Sequence, residues 1–224
     1  MTTVGLLHTV PALAATFDRL VDDAAPGLRR VHTVDGWLLA TARRDGVTPA
    51  VHQAVQTHLR QLAATGADAV LVTCSSIGEA AEAAASAVTI PVVRVDAAMA
   101  DQAVQLASAA GAGGRIAVLA TLTSTLGPTG RLVERAARAA RRNIDVTADI
   151  VDGAAEAADA GDSARVDALV AAAVQRAGTR ADAIVLAQAS MAGAARSTEV
   201  GVQVLSSPIG GVRALLAELR RVAT

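Results

Sequence analysis

The stretch ADAVLVTCSSI (residues 67–77) matches ADAIVLAQASM (residues 181–191) without gaps, with the same order of small, apolar and polar residues over most of its length. Two more segments repeat in the same order. VGLLHT (residues 4–9) returns as IAVLAT (residues 116–121), and VDG occurs twice, each time after a predicted strand. Because the chain is rich in alanine, a single match has little weight, but three matches in one order have more. The repeat predicts two similar halves built on one plan.

Short apolar runs alternate with longer alanine-rich segments along the chain. The runs are typical of strands buried on both faces, and the segments between them are typical of helices. This alternation predicts parallel sheets built from βαβ units. The predicted strands are residues 4–7, 28–34, 69–73, 91–95, 115–120, 145–151, 183–187 and 203–205. The predicted helices are residues 11–23, 49–65, 78–87, 97–110, 129–142, 163–177, 191–195 and 209–222.

We therefore predict an α/β protein with two pseudo-symmetric lobes, each a parallel sheet flanked by helices, and a cleft between the lobes. The first lobe is expected over residues 1–95, completed by 205–224, and the second over residues 96–204. Ligands of open parallel sheets bind beyond the carboxyl ends of the strands. The repeat makes Cys74 equivalent to Gln188 at two such ends, so both are candidate site residues.

The composition excludes several classes of function. The net charge is −1, and Phe17 and Trp37 are the only aromatic side chains. Such a chain lacks the basic surface and the stacking platforms of nucleic-acid or anionic-membrane binding, so we expect neither partner. The sequence contains no lysine. A Schiff base on the protein and a phosphate-loop lysine are therefore excluded.

Cysteine and histidine usage predicts no disulfide and no metal site. There is one cysteine, and the histidines lack the spacing of metal ligands except His52 and His58, which are six residues apart. That spacing does not place the two on one helix face, so we expect surface residues. The N-terminus has no basic segment before its apolar stretch, as a signal peptide would. No apolar run is long enough to span a bilayer. We therefore expect a cytoplasmic protein.

Cys74, the single cysteine, stands between a predicted strand and a predicted helix. A lone cysteine is often only a small buried side chain. The strand–turn–helix context favours a functional thiol, because backbone N–H groups at a helix start lower the pKa of a thiol. Ser75 and Ser76 either cap the helix or form, with those N–H groups, a site for a carboxylate.

Two further features lie at predicted strand ends. LATLTSTLGPT (residues 119–129) is predicted to be a hydroxyl-rich loop, in which Thr121, Thr123 and Ser124 are able to hold a carboxylate or an enolate oxygen. Such loops are also often simple turns. His8 ends the first strand and is either a ligand-binding residue or a hydrogen-bonded core histidine.

VTCSSI (residues 72–77), LATLTS (residues 119–124) and VLAQAS (residues 185–190) resemble motifs of the aspartate/glutamate/hydantoin racemase superfamily. The resemblance extends over essentially the whole chain. It implies a duplicated α/β fold, no cofactor, and a small carboxylic acid as substrate. It also implies two cysteines, one from each lobe, that remove and return the α-proton on opposite faces of the carbon.

The resemblance assigns Cys74 as the catalytic residue of the first lobe. It makes Ser75 and Ser76 carboxylate binders and places Thr121 and Ser124 at substrate-binding positions. In VLAQAS the second cysteine is replaced by Gln188, whose amide donates hydrogen bonds but transfers no proton at useful pH. The expected substrate-binding residues are His8, Ser75, Ser76, Thr121, Ser124, Gln188 and Ser190.

The replacement of the second cysteine leaves several activities open. The protein is expected to be a racemase or isomerase that uses a Cys74 thiolate. Either His8 or water transfers the proton on the other face of the α-carbon, or Cys74 removes and returns it on one face. Alternatively it is a single-cysteine decarboxylase of the arylmalonate decarboxylase type, or Cys74 attacks the substrate as a nucleophile. The last alternative is a non-catalytic binder of a small carboxylate. The family resemblance also makes a homodimer a possible assembly.

Overall fold

Two four-stranded parallel sheets form the centre of the computed structural model, which describes residues 2–111, 113–193 and 198–222. The strands of the first sheet are β1 (Thr3–His8), β2 (Arg29–Val34), β3 (Ala69–Val72) and β4 (Val92–Arg94). The strands of the second sheet are β5 (Gly114–Ala120), β6 (Ile144–Ile150), β7 (Ala183–Leu186) and β8 (Gln203–Ser206). Every pairing between these strands is parallel.

Helices connect the strands. In the first half they are α1 (Pro11–Ala24), α2 (Gly36–Asp45), α3 (Pro49–Ala64) and α4 (Gly78–Ala84). In the rest of the described chain they are α5 (Ala97–Ala109), α6 (Thr123–Ala139), α7 (Ala154–Asp159), α8 (Ser163–Gly178) and α9 (Ser207–Val222). None of these described helices combines the length and the apolarity needed to cross a bilayer.

The chain divides into two units with the same strand order. Unit 1 contains the residues up to Asp96 together with those from Pro208, and unit 2 extends from Ala97 to Ser207. The sheet of unit 1 has the order β2-β1-β3-β4, and that of unit 2 has the order β6-β5-β7-β8. The predicted α/β class, with two similar halves of parallel sheet flanked by helices, is confirmed.

Matching hydrogen bonds in the two units show that the sequence repeat is also a structural repeat. In unit 1 the Asp68 carboxylate accepts from the Thr3 backbone N–H at 2.8 Å. In unit 2 the Asp182 carboxylate accepts from the Arg115 backbone N–H, also at 2.8 Å. Each aspartate belongs to the AD pair that opens one of the two repeated stretches. Each therefore joins the start of the third strand of its unit to the start of the first.

Strands β1 and β3 of unit 1 are mainly apolar because they lie inside the sheet and are buried, whereas β2 (RRVHTV) is more polar and only partly buried. Leu7, Val70 and Val72 pack on one face against side chains of α2 and α3 such as Leu38 and Val55. All residues of β1 and β3 are buried. Burial on both faces explains why these strands show no alternation of polar and apolar residues.

The central strand of unit 2 contributes to two separate apolar clusters. Ile116 and Val118 of β5 belong to one cluster, which includes side chains of α5 and α6. Ala117 and Leu119 belong to the other, which includes side chains of α8. Because side chains alternate along a strand, one continuous apolar run supplies both faces of the sheet.

The segment predicted as a hydroxyl-rich loop is instead the first part of a helix. Helix α6 begins at Thr123, whereas the sequence predicts a helix only from residue 129. The prediction was wrong because Pro128 disfavours a helix: it has no N–H to donate to the Ser124 carbonyl. Tertiary packing overrides this preference, since α6 packs against α5 and β6 and both Pro128 and Thr129 are buried.

Two short helices were not predicted, and each follows a VDG segment. Helix α2 starts after Asp35, whose carboxylate accepts from the Trp37 backbone N–H at 3.0 Å. Helix α7 starts after Gly153, which has a φ of 75° that favours glycine. Both helices are too short to give a strong helical period. The predicted helix at residues 191–195 lies partly outside the described residues.

Candidate active site

Cys74 lies at the carboxyl end of the unit 1 sheet, directly after β3. The Thr73 backbone N–H extends the strand ladder by donating to the Leu7 carbonyl at 3.0 Å. The chain then turns through the 3-10 turn Ser75–Ile77, in which the Ile77 N–H donates to the Cys74 carbonyl at 3.3 Å, and enters α4. The thiol therefore occupies the predicted strand–turn–helix junction, at the edge where parallel sheets bind ligands.

The thiol of Cys74 is partly buried and surrounded by hydrogen-bond donors. Burial is the largest influence, and it raises the pKa of the Cys74 thiol above its usual value. The Thr9 hydroxyl and the N–H groups of Ser76 and Ile77, which lie near the sulfur, lower this pKa without outweighing burial. The N–H groups of the turn thus act in the expected direction, but the net pKa is raised. Cys74 rests as a neutral thiol at neutral pH.

Thr9 is a site residue that the sequence revealed only as the counterpart of Thr121 in the repeat. It is 3% exposed, and its hydroxyl has no hydrogen-bond partner at bonding distance. The hydroxyl lies near the sulfur of Cys74, where its polar hydrogen lowers the pKa of the thiol. A buried hydroxyl without another polar partner is costly. Its place beside the thiol therefore indicates that it serves the thiol.

Replacing Thr9 by valine is expected to raise the pKa of the Cys74 thiol further. Valine has nearly the same shape but no hydroxyl, so one donor that stabilises the thiolate is lost. The rate of alkylation by iodoacetamide, measured against pH, reports this directly because Cys74 is the single cysteine. The inflection should move to higher pH in Thr9→Val and stay in place in Thr57→Val, on the exposed face of α3. An unmoved or lower inflection in Thr9→Val would contradict the assignment.

Ser75 and Ser76 are both buried in the turn after Cys74. Neither serine caps α4, because the residue at the N-cap position is Ile77. Ser76 directs both its N–H and its hydroxyl to the Cys74 sulfur. The capping alternative is therefore wrong for α4, and Ser76 belongs to the surroundings of the thiol.

His8 is fully buried, and both of its ring nitrogens have protein partners. Nδ1 lies 2.9 Å from the Thr73 hydroxyl, and Nε2 lies 3.0 Å from Nδ1 of His32. His32 in turn contacts the Asp18 carboxylate, with 3.3 Å between Nε2 and Oδ1. The Thr73 hydroxyl donates to the Leu7 carbonyl at 3.1 Å, so its oxygen accepts from His8. The structure thus places His8 as a hydrogen-bonded core histidine beside the residue that precedes Cys74.

Acid is expected to destabilise unit 1 through His8. Burial, aided by the neighbouring His32, lowers the pKa of His8 from 6.5 to about 4. Between these pH values His8 is protonated in the unfolded chain and neutral in the folded chain. The free energy of unfolding therefore falls as the pH drops from 6.5 towards 4. The loss attributable to His8 is about 3 kcal/mol at most. Urea unfolding of wild type and His8→Asn across this range should give a flatter pH dependence for the variant. Equal slopes would contradict the burial of a neutral His8.

In unit 2, the position equivalent to Cys74 holds Gln188, and its amide is bound to Thr121. The Thr121 backbone N–H donates to Gln188 Oε1 at 2.7 Å, which fixes the orientation of the amide. Gln188 Nε2 then donates to the Thr121 hydroxyl oxygen, also at 2.7 Å. The pair thus uses the amide oxygen internally, and its remaining polar hydrogens are the second amide N–H and the Thr121 O–H. The paired positions are the same as Thr9 and Cys74 in unit 1.

The other two predicted residues of unit 2 lie at the same strand ends. Ser124 is partly buried in the first turn of α6, close in sequence to Thr121. Ser190 is exposed in the 3-10 turn Ala189–Met191 that follows Gln188. Unit 2 thus holds Thr121 and Gln188 in contact and places both serines on the turns that follow them.

A buried ion pair behind the Cys74 turn was not anticipated from the sequence. Arg94 donates to both carboxylate oxygens of Asp96 at 2.9 Å, and the side chains are 3% and 0% exposed. Its third nitrogen lies 3.1 Å from the Glu82 carboxylate. A Cβ atom placed on Gly78 would lie only 2.5 Å from the guanidinium carbon. Arg94 therefore packs directly against the first residue of α4, where only glycine fits.

His52 and His58 both lie on α3. Nε2 of His58 lies 2.8 Å from the Asp35 carboxylate. Within the described ranges, no group of three or more His, Cys, Asp or Glu side chains is arranged to hold a metal ion.

The profile of one protein family, described as Asp/Glu/Hydantoin racemase, matches residues 7–215. The chain belongs to this family. Racemases are isomerases, so the family assignment makes this protein a racemase-type enzyme. The matched range includes Cys74 and Gln188. No curated protein sequence matches the chain significantly.

Solved racemase structures have the same fold. A glutamate racemase from Bacillus anthracis superposes with a TM-score of 0.73 at 18% identity, covering 99% of this chain and 82% of that one. An aspartate racemase from Picrophilus torridus gives 0.70 at 15% identity, covering 98% and 95%. An unliganded arylmalonate decarboxylase gives 0.59 at 17% identity, covering 98% and 93%. At these identities the similarity establishes the fold.

Proposed function

We propose that this racemase-family protein works without a cofactor and uses Cys74 to transfer a proton at the α-carbon of a small carboxylic acid. The observation that best supports the proposal is the setting of the Cys74 sulfur. It lies at a strand end in a partly exposed residue, and the polar hydrogens of Thr9, Ser76 and Ile77 near it act to lower the pKa of the thiol. Such donors stabilise a thiolate once it forms, and a packing cysteine has no use for them.

The proposed step is a proton transfer between sulfur and carbon. The Cys74 thiolate takes the α-proton, the electron pair of the C–H bond passes into the carboxylate, and an enediolate forms. Return of the proton restores the acid. Because its pKa is raised, Cys74 rests as a thiol and must lose its proton before it can accept another. We therefore expect turnover to increase with pH as the thiolate becomes populated.

The Thr121–Gln188 pair is proposed to bind an oxygen of the substrate carboxylate. Because Gln188 Oε1 is occupied by the Thr121 N–H, the groups left for a ligand are an amide N–H and a hydroxyl. Two such donors suit a carboxylate, and they suit the more strongly charged enediolate better. Three serines are proposed as further substrate contacts because each follows the carboxyl end of a strand: Ser75 after β3, Ser124 after β5 and Ser190 after β7.

Gln188 cannot serve as the second acid or base, so the protein is proposed to depend on a single thiol. Racemisation then requires water or another group on the second face of the carbon. His8 is less suited to this role than the sequence suggested, since both its ring nitrogens are bound within the protein. We propose instead that His8 positions Thr73, and through it the strand end that presents Cys74.

Decarboxylation is the second candidate activity, and the raised pKa of Cys74 favours it. A decarboxylase of a substituted malonate needs no base. Loss of carbon dioxide leaves its electron pair on the α-carbon, and a neutral thiol then protonates that carbon. A thiol that is protonated at rest is ready for this step.

Proton NMR in heavy water distinguishes these activities. The protein is incubated with amino acids, hydantoins, 2-hydroxy acids, 2-arylpropionates and substituted malonates. Loss of both the α-proton signal and the optical activity indicates a racemase. Loss of the α-proton signal with the optical activity retained indicates exchange on one face of the carbon. A deuterated monoacid formed from a malonate indicates a decarboxylase. No reaction with any of these acids, together with an inert thiol, would leave only a carboxylate binder.

A further inference from the structure

Val34 and Trp37 are large apolar side chains that remain exposed at the end of the unit 1 sheet. Their exposures are 43% and 48%. In the described part of the chain the other large exposed apolar residues are Ile209 and Val222, both on α9. Phe17, the one other aromatic residue, is fully buried. Trp37 is therefore a solvent-exposed indole in a chain whose other aromatic residue is buried, and such exposure is typical of a binding contact.

This apolar pair lies on the same edge as Cys74. Val34 is the last residue of β2 and pairs with His8, the last residue of β1. A Cβ atom on Gly36 would lie 3.8 Å from the carbonyl oxygen of Thr9, a residue whose hydroxyl lies near the Cys74 sulfur and lowers the pKa of the thiol. Helix α2, which begins here, also packs against the 3-10 turn that follows Cys74. Val34 and Trp37 thus flank the residues that surround the thiol.

The backbone that presents Trp37 is held firmly. The Asp35 carboxylate accepts from the Trp37 N–H at 3.0 Å, and its other oxygen lies 2.8 Å from Nε2 of His58. The Asp35 N–H in turn donates to the His8 carbonyl at 2.9 Å. The first hydrogen bond caps α2, and the other two fix its start to α3 and β1. A side chain on such an anchored turn is prepared for a ligand with little loss of freedom on binding.

We infer that Val34 and Trp37 form an apolar wall that receives the substituent on the α-carbon of the substrate. The inference rests on the proposed function and adds the substrate class to it. The preferred acids carry an aryl or branched alkyl group at this carbon. A second carboxylate in that place would lose hydration against an indole and an isopropyl group that offer it no counter-charge.

Ligand binding can be measured apart from catalysis in Cys74→Ser, which keeps the shape of the site and lacks the thiol. Since the chain has one tryptophan and no tyrosine, its tryptophan fluorescence reports Trp37 alone. Titration with phenylacetate should change the emission at concentrations at least about tenfold lower than titration with succinate or acetate. By calorimetry, Trp37→Ala in the same background should bind phenylacetate at least about tenfold more weakly. Ile209→Ala, the matched control, should bind it unchanged.

Three results would overturn the inference. The first is binding of succinate as tight as that of phenylacetate, and the second is a Trp37→Ala protein that binds phenylacetate as well as its parent. The third result is a change of sedimentation mass in Trp37→Ala, which would mean that a second copy of the chain covers the tryptophan. The test is independent of the proposed reaction. If phenylacetate binding depends on Trp37 but wild type exchanges no α-proton, the apolar wall is supported and the proposed reaction is refuted. If wild type exchanges the α-proton but phenylacetate binding does not depend on Trp37, the reaction is supported and the wall is refuted.

Discussion

Replacing Cys74 by alanine should lower the rate of α-proton transfer about a thousandfold or more, with little change in folding. The estimate follows from the usual contribution of a positioned acid or base, which is about 10² to 10⁴ in rate. The site offers no other thiol to take its place, because Cys74 is the single cysteine. The side chain is only partly buried, so its loss leaves a small defect in packing. The measurement is the initial rate of exchange, with urea unfolding to confirm that the variant folds.

Two further variants make this result specific. Cys74→Ser keeps the size of the side chain but holds its proton too tightly, so it should be nearly as inactive as alanine. Ser86→Ala, at an exposed serine in the 3-10 turn Ala85–Ala87 that follows α4, should keep the full rate. A Cys74→Ala protein that folds and retains more than about a tenth of the wild-type rate would contradict a role for the thiol in proton transfer.

Asp96→Asn should be the most destabilising conservative substitution in unit 1. It removes the charge that balances Arg94, whose side chain is 3% exposed, and leaves only the more exposed Glu82 beside it. Breaking a buried ion pair from one side costs about 3 to 5 kcal/mol, and the remaining Glu82 contact puts the expected loss at about 3 kcal/mol. Urea unfolding at neutral pH gives the change in the free energy of unfolding.

The reason for the loss can be tested by removing both charges. Arg94→Met combined with Asp96→Leu leaves no unpaired buried charge, so the double variant should be more stable than Asp96→Asn. Asp45→Asn breaks the exposed pair with Arg44 and should leave the free energy of unfolding nearly unchanged. A double variant less stable than Asp96→Asn would show that the pair acts through its shape and hydrogen bonds, not through its charge balance.

The fold was largely predictable because its signals are local or repeated. Apolar runs such as residues 69–73 and 115–120 mark strands buried on both faces, and the repeat of ADAVLVTCSSI predicts that the halves share one topology. The misplaced start of α6 shows the limit of such signals. Gly127 and Pro128 disfavour a helix, and only the packing of α6 on α5 and β6, which no local pattern contains, makes one form.

The candidate site was predictable in position but not in electrostatics. The repeat placed Cys74 and Gln188 at matching strand ends, and the structure supplies each with a threonine at matching positions. The sign of the pKa shift at Cys74 was not predictable, because it depends on how burial balances against three donor residues. The contact of Arg94 with Gly78 likewise joins distant residues that no motif connects.

Reversible blocking of the wild-type thiol tests the central claim most directly. Methyl methanethiosulfonate caps a thiol, dithiothreitol removes the cap, and Cys74 is the one residue in the chain with a thiol. The number of free thiols and the rate of α-proton exchange are measured on the same samples. If Cys74 is the proton-transferring group, exchange should fall in proportion to the thiols capped and return in full when the cap is removed. Undiminished exchange by fully capped protein would contradict the account.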